Sequence, residues 1–426
     1  MRILFRLMFS IAFVVILAGI IAYARGYRFD MENNALTSTG IIATSSSPRA
    51  SKVYVNGELK GVTDLNLTLP PQRYFVEVKK DGYSTWSKQI TLKGELVMIV
   101  DPVLFPLNPS LTPLTNLGVT RTIALDGTER ILLISETGDP LKDGIYLFET
   151  SRRPLPFLPP LKTIILKSEM PISEDTKLSD AKFYFSPDYR QFIVDITKPT
   201  PASYLFNTDS ENQQAFETSQ SKASLLTAWS TEKEEQNIKL LQTFPKNFVN
   251  QVEGSIKIIA FSPDDNKLLY MVTKPVVVPL ILQPPLIAAN QTTEERALQA
   301  GKLYVYDKKE DKNFPISFSG NFTSDDTTTL PSIAPLLSPT PQPLSIEFFT
   351  GESLAIDWYP DSKHLVYNEG NKFTVSDYDG QNKHTVYSGP FNKSFFSVTS
   401  DGKLIVLLNL NPENNHYPDL YLVGIR

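Results

Sequence analysis

The chain contains no cysteine. Disulfides, thiolate catalysis and cysteine-ligated zinc are therefore excluded at the outset. Histidine is scarce: His364, His384 and His416 are the only three. Each stands in a separate polar turn context without a second ligand at metal-binding spacing. The nucleophile elbow G-x-S-x-G, the H-E-x-x-H zinc helix and the phosphate-binding P-loop are also absent. Basic residues do not dominate, since 41 Lys and Arg face 46 Asp and Glu for a formal net charge of −5. Nucleic acid, whose phosphates demand a basic face, is thus not an expected partner. No catalytic residue, cofactor-binding residue, metal ligand or cofactor is assigned.

What is present describes a folded, exported β protein. Its 426 residues allow two or three domains, and 41% apolar against 20% charged residues suits globular cores. Thirty-two prolines against twenty glycines point to short strands, turns and stiff linkers. The run "LMFSIAFVVILAGIIAYA", Leu7–Ala24, carries no charge. Eighteen helical residues rise about 27 Å, close to the hydrocarbon thickness of a bilayer. Arg2 and Arg6 precede it; Arg25 and Arg28 follow, diluted by Asp30 and Glu32. Ala22-Tyr23-Ala24 resembles a signal-peptidase site, but a secretory apolar region of about 7–15 residues is shorter than this one. The expected arrangement is a cytoplasmic segment 1–6, a transmembrane helix 7–24 in contact with membrane lipid, a juxtamembrane linker 25–39, and an extracytoplasmic remainder.

From Gly40 the hydrophobic period becomes two. In "KVYVNGELKG" Val53 and Val55 share a face and Tyr54 takes the other. Asn56-Gly57 supplies the two positive φ angles of a type I′ hairpin. "LNLTL" sets Leu65, Leu67 and Leu69 against Asn66 and Thr68, and "RYFVEVKK" sets Tyr74, Val76 and Val78 against Phe75, Glu77 and Lys79. Pro70-Pro71 and Asp81-Gly82 break the chain between strands. These pieces form an antiparallel sheet of roughly seventy residues with one buried face. "SPRASKVYVNGELKGVT" and "LTLPPQRYFVEVKKDGY", with the spacing between them, resemble the PEGA domain over about 40–106. That likeness implies a small β-sandwich acting as a spacer or adhesion module, without catalytic residues.

Beyond 107 one local pattern recurs: "ALDGTERILLI", "FSPDYRQFIVDI", "FSPDDNKLLYMV", "WYPDSKHLVYN" and "VTSDGKLIVLL". Each is a strand end, an aspartate turn and an apolar strand, followed by a further strand such as "KLYVYD" or "DLYLVGI". Five such units indicate a radially repeated sheet, a divergent β-propeller of at least five blade-like units filling 107–426. Leu420, Leu422 and Ile425 are needed to complete its last blade. Insertions are expected near 229–252, where Trp229–Phe244 has helical composition, near 274–301, and near 323–343, a Ser/Thr/Pro-rich excursion. The "SPD" units resemble the blades of TolB-like and WD-repeat-like propellers, in which that aspartate is structural. The expected whole is mainly β: an anchor helix, a PEGA-like sandwich and a propeller.

Several side chains invite a chemical reading. Asp377, Asp379 and Asn382 in "DYDGQN" suggest a calcium loop, but the distal bidentate glutamate is missing and a hairpin turn accounts for them. Asp264-Asp265 and Asp325-Asp326 are neighbours in turns, not opposed carboxylates. Asn66, Asn290, Asn321 and Asn392 open N-x-Ser/Thr sequons. Tyr and Phe, 18 and 25 of them, mostly occupy strand positions and fill blade interfaces. Trp86 is read as a domain-packing anchor or a surface contact. The functional expectation is a non-catalytic, membrane-anchored binding or scaffolding protein of the prokaryotic cell envelope, with an envelope protein or glycan as partner. The alternative is a carbohydrate- or peptide-active envelope enzyme with its site at the propeller channel.

Overall fold

Residues Arg2–Ala24 form one continuous helix, α1. Its stretch Phe5–Tyr23 has the length and apolarity of a membrane span, at a mean hydropathy of 2.4, and none of it is buried against the rest of the chain. An unburied helix that is hydrophobic all round has water as its worst solvent and hydrocarbon as its best. The computed structural model describes residues 2–24, 27–30, 35–125, 127–150, 161–318, 355–413 and 415–426. Asp126, Asn321, Asp325-Asp326 and the excursion near 323–343 lie outside them. The chain divides into two compact units: Met1–Leu107 together with Pro284–Thr292, and Asn108–Gln283 together with Thr293–Arg426.

In the first unit a hairpin, β1 (Tyr27–Asp30) and β2 (Ala35–Ser38), follows the helix. Seven strands come next: β3 (Gly40–Thr44), β4 (Lys52–Val55), β5 (Glu58–Val62), β6 (Leu65–Leu69), β7 (Arg73–Lys79), β8 (Trp86–Thr91) and β9 (Val97–Val100). They make two sheets, ordered β6-β3-β9 and β5-β4-β7-β8. The single antiparallel sheet expected from the sequence is thus two sheets, and β3 pairs with β9 in parallel. Strand parity holds where it was read: Val53, Val55, Tyr74, Val76 and Val78 are buried while Phe75 is exposed. Burying each such valine contributes about 1.5–3 kcal/mol. Val55 and Glu58 flank a two-residue turn in which Asn56 has φ of 51° and Gly57 of 83°, as a type I′ hairpin requires. Trp86 corrects the sequence reading. It is 9% exposed and packs with Ile42, Val76 and Ile90 in this unit's own core, so it is a core residue and not a surface contact.

The second unit opens with β10 (Ser110–Pro113). Sheet one contains β11 (Arg121–Leu125), β12 (Arg130–Ser135), β13 (Gly144–Glu149) and β14 (Leu161–Leu166). Sheet two contains β15 (Lys182–Phe185), β16 (Gln191–Ile196), β17 (Ala202–Asn207) and β18 (Phe216–Glu217). Helices α2 (Lys222–Leu241) and α3 (Lys246–Val252) follow. Sheet three begins with β19 (Ile256–Phe261) and β20 (Lys267–Val272), is interrupted by a small ladder of β21 (Val276–Val277) with β22 (Ala297–Leu298), and resumes with β23 (Leu303–Asp307) and β24 (Lys312–Ile316). Sheet four contains β25 (Ile356–Trp358), β26 (His364–Asn368), β27 (Phe373–Asp377) and β28 (His384–Tyr387). Sheet five is composite: β29 (Phe396–Val398), β30 (Leu404–Leu408) and β31 (Asp419–Gly424) take β10 as their fourth strand.

All five are antiparallel four-stranded sheets, the repeat unit of a propeller. Their faces pack in succession. Ile123, Leu132 and Ile145 of sheet one meet Phe183, Phe192 and Phe206 of sheet two. The other face of sheet one, with Ile131, Leu133 and Phe148, meets Ile405, Leu407 and Leu420 of sheet five. Sheets five and four meet through Phe396 and Phe373, whose ring centroids are 5.4 Å apart. Sheets four and three share Trp358, Leu365, Tyr367, Leu269 and Val305. The remaining face of sheet three is covered by Leu241 at the end of α2 and by Phe248 and Val252 of α3.

Candidate functional site

One turn recurs between the first and second strands of these sheets. The Ser186 hydroxyl donates to Asp188 Oδ1 at 2.7 Å, Ser262 to Asp264 at 2.6 Å and Thr399 to Asp401 at 2.5 Å. The next residue is left-handed in each case, with φ of 54° at Tyr189, 56° at Asp265 and 78° at Gly402. Burial works against the charge on Asp264, yet hydrogen bonds from Ser262 and Asn266, with Lys267 nearby, hold it at about 2. These aspartates are committed to the backbone of their own turns. Asp264-Asp265 therefore belongs to a turn, with Asp264 bonded within it and Asp265 in the left-handed position.

Sheet four departs from the pattern, because Tyr359 stands where sheets two, three and five carry Ser or Thr. Its hydroxyl reaches away to the Gly402 carbonyl at 2.9 Å. Asp361 then turns to His364, whose Nδ1 lies 2.7 Å from Asp361 Oδ2. The other ring nitrogen lies 3.3 Å from Asp377 Oδ1. Burial disfavours a charged ring, but the hydrogen bonds to Asp361 and Asp377 overcome it and raise His364 to about 9. With both nitrogens engaged by carboxylates, this imidazolium has no lone pair for a metal. The cross-strand position it occupies, His364 opposite Asp377, is filled by Lys267 opposite Asp307 in sheet three and by Arg130 opposite Glu149 in sheet one. Lys267 Nζ and Asp307 Oδ2 are 3.7 Å apart and nearly buried. A cation opposite a carboxylate is thus a recurring join between second and third strands.

The other candidates resolve separately. The Asp377–Asn382 stretch is the turn joining β27 to β28, closed by Asp377 and Gln381 backbone groups, with Asn382 Nδ2 donating to Asp377 Oδ2 at 2.9 Å. His384 lies on β28, and His416 is exposed. Asn66 is exposed on β6, and Asn392 Oδ1 accepts from the Ser394 hydroxyl. Among the described residues no group of three or more His, Asp or Glu side chains is arranged to hold a metal ion.

Two polar features escaped the sequence reading. Asp311, almost fully buried, accepts from the Ile281 and Leu282 amides, the Tyr306 hydroxyl and the Arg296 guanidinium. It fixes the stem of the second insertion, and its partners lie too far along the chain for any local motif to connect them. Asp357, half-buried on β25, accepts from the Trp358 amide at 2.7 Å, and burial raises it to about 6 despite that bond. Two residues ahead of the repeated turn, sheets two, three and five carry Tyr184, Ala260 and Ser397 at the same position. Among the described residues the first strands of the five sheets thus bring one carboxylate.

Residues 39–105 match the PEGA domain family. No characterised protein matches the chain in sequence. Similar solved structures include a protein assigned as TolB from Agrobacterium tumefaciens, at 11% identity, 67% coverage of each chain and a TM-score of 0.19. A structural-genomics protein of unknown function from Bacteroides thetaiotaomicron shows 11% identity over 88% of this chain and 91% of that one, with a TM-score of 0.25. The Dos1 propeller shows 10% identity over 93% of this chain and 81% of that one, with a TM-score of 0.19. At such superposition the fold assignment rests on this chain's own sheet order.

Proposed function

We propose that this protein is a single-pass, membrane-anchored binding or scaffolding protein of the prokaryotic cell envelope, without catalytic activity, its short N-terminus cytoplasmic and its bulk outside. The observation that carries the reading is the order of parts: an unburied apolar helix over Phe5–Tyr23, then a PEGA domain, then repeated four-stranded sheets. Propeller-type scaffolds recognise partners through loops set on rigid sheets. The carboxylates of the turns and strand joins favour the same reading, because hydrogen bonds and ion pairs already engage Asp188, Asp264 and Asp361 in turns and the buried Asp307 and Asp311. Protease applied outside intact cells, with the outer wall permeabilised, should digest the chain beyond residue 40 and leave a membrane-bound stub. Full protection while the membrane is intact would refute the topology. A mature N-terminus at Arg25 would replace the anchor by a cleaved signal. Crosslinking in membranes, followed by identification of the captured protein or glycan, then tests the binding role.

A further inference from the structure

Pro284–Thr292 belongs to the same compact unit as α1, although the chain on either side of it belongs to the other unit. It is fastened at one pole of the small unit. The Thr91 amide donates to Gln291 Oε1 at 2.6 Å, Gln291 Nε2 donates to the Thr91 carbonyl at 3.0 Å, and Lys88 Nζ donates to Asn290 Oδ1 at 2.8 Å. That pole is the one at which α1 joins. α1 ends at Ala24 and β1 begins at Tyr27, and the β1–β2 ladder sets Ser38 opposite Tyr27, so the sandwich opens at Gly40 close behind the helix. The Tyr27 hydroxyl also donates to Glu95 Oε1 at 2.9 Å. The chain from Thr91 to Glu95 spans at most about 14 Å. Helix exit and Gln291 attachment therefore share one end of the sandwich.

What Gln291 holds there is apolar. From Pro275 to Thr293 no residue carries a charge. Pro284, Pro285, Leu286, Ile287 and Ala288 are all exposed, Leu286 at 49% and Ile287 at 73%. Ala288, with φ of 64°, turns the chain back towards Asn290. Pro275, Pro279, Pro284 and Pro285 keep the stretch from forming a helix, so its backbone cannot satisfy itself across a bilayer. The reach open to it is the interface, where apolar side chains enter and backbone groups stay hydrated. Arg73, opposite Thr91 in the ladder, and Lys93 are exposed cations at the same pole, of the kind that lipid phosphates attract.

We propose that the Leu286–Ile287 tip is a second membrane contact, seated in the bilayer interface beside the α1 anchor, with lipid acyl chains as its occupant. The proposal rests on α1 spanning the membrane. A single helix tethers the small unit at one point, and a tip held by Gln291 fixes its tilt as well. Because the chain has no native cysteine, single cysteines labelled with the fluorophore NBD report each site separately. The protein is used at full length, reconstituted into vesicles of phosphatidylcholine and phosphatidylglycerol. NBD at Ile287→Cys should be quenched about twofold or more by doxyl groups placed high on the acyl chains, and less by a spin label on the headgroup. NBD at Asp81→Cys, in the turn beyond the far end of β7, should be quenched by neither. Phe13→Cys, within α1, tests the anchor on its own, and doxyl groups deep in the acyl chains should quench it. With Phe13→Cys quenched, a tip that acyl-chain labels leave bright, or that the headgroup label alone quenches, overturns the second contact while the anchor stands. Equal quenching at Ile287→Cys and Asp81→Cys would also overturn it, because lipid would then meet the unit without regard to the tip. An unquenched Phe13→Cys would overturn the anchor and the tip contact with it.

Discussion

At the scale of single residues, two titratable groups, one buried and one half-buried, make opposite demands on pH. His364 is raised to about 9 between Asp361 and Asp377. A base whose folded value exceeds its unfolded one stabilises fully below the unfolded value, near 6.5, and loses that contribution as pH climbs through the folded one. Replacing His364 by Gln should therefore lower the unfolding free energy at pH 6, on the order of 2–3 kcal/mol, with a penalty that shrinks above pH 9. A penalty that does not change with pH would mean that the ring acts by packing alone. Asp357 is an acid raised to about 6. The folded state binds its proton more tightly than the unfolded state, so its ionisation costs stability as pH rises from about 4 through 6. Asp357→Asn keeps an acceptor for the Trp358 amide and should raise the melting temperature at pH 7.5, where the gain is about 1–3 kcal/mol. At pH 4 the two proteins should melt alike.

At the scale of elements, the C-terminal strand is an interior strand of its sheet. β31 pairs with β30 on one side and with the N-terminal β10 on the other, Leu422 opposite Thr112. Leu420, Val423 and Ile425 are fully buried. The Asp419 carboxylate also accepts from the Thr115 hydroxyl and the Leu117 and Gly118 amides, tying the two ends of the unit together. Deleting Pro418–Arg426 strips β10 of its partner and bares the Ile131–Leu133 face of sheet one. Limited proteolysis should then find cleavage spread through 108–426, with a lower thermal midpoint, instead of trimming at the end. A stable core of unchanged midpoint would show that the sheets stand independently.

At the scale of the whole molecule, two units with separate cores should unfold as two cooperative transitions. Each can be addressed by one glycine. Gly57 sits at φ of 83° with open space around it, so Gly57→Val costs about 1–3 kcal/mol through backbone strain and moves the small unit's transition. Gly402 sits at φ of 78°, and a Cβ there would fall 2.0 Å from the Tyr359 hydroxyl, so Gly402→Ala should lower the other transition by at least as much. Calorimetry distinguishes the cases. If either substitution shifts both transitions equally, the chain melts as one cooperative body.

The sequence by itself determined whatever depends on neighbours in the chain. The uncharged run fixed α1, the period-two alternation fixed which face of β4 and β7 is buried, Asn56-Gly57 fixed a type I′ turn, and the repeated aspartate turns fixed five sheets. The Ser-to-Asp hydrogen bond in those turns spans two residues, so a local motif carries it. Only the tertiary structure decided what depends on residues far apart. Sheet five borrows β10 from some three hundred residues away, β3 and β9 run parallel across a connection that periodicity does not register, and Trp86 turns inward because its sheet has a second layer to pack against. His364 read as an isolated polar residue because Asp377 reaches it across a strand pair.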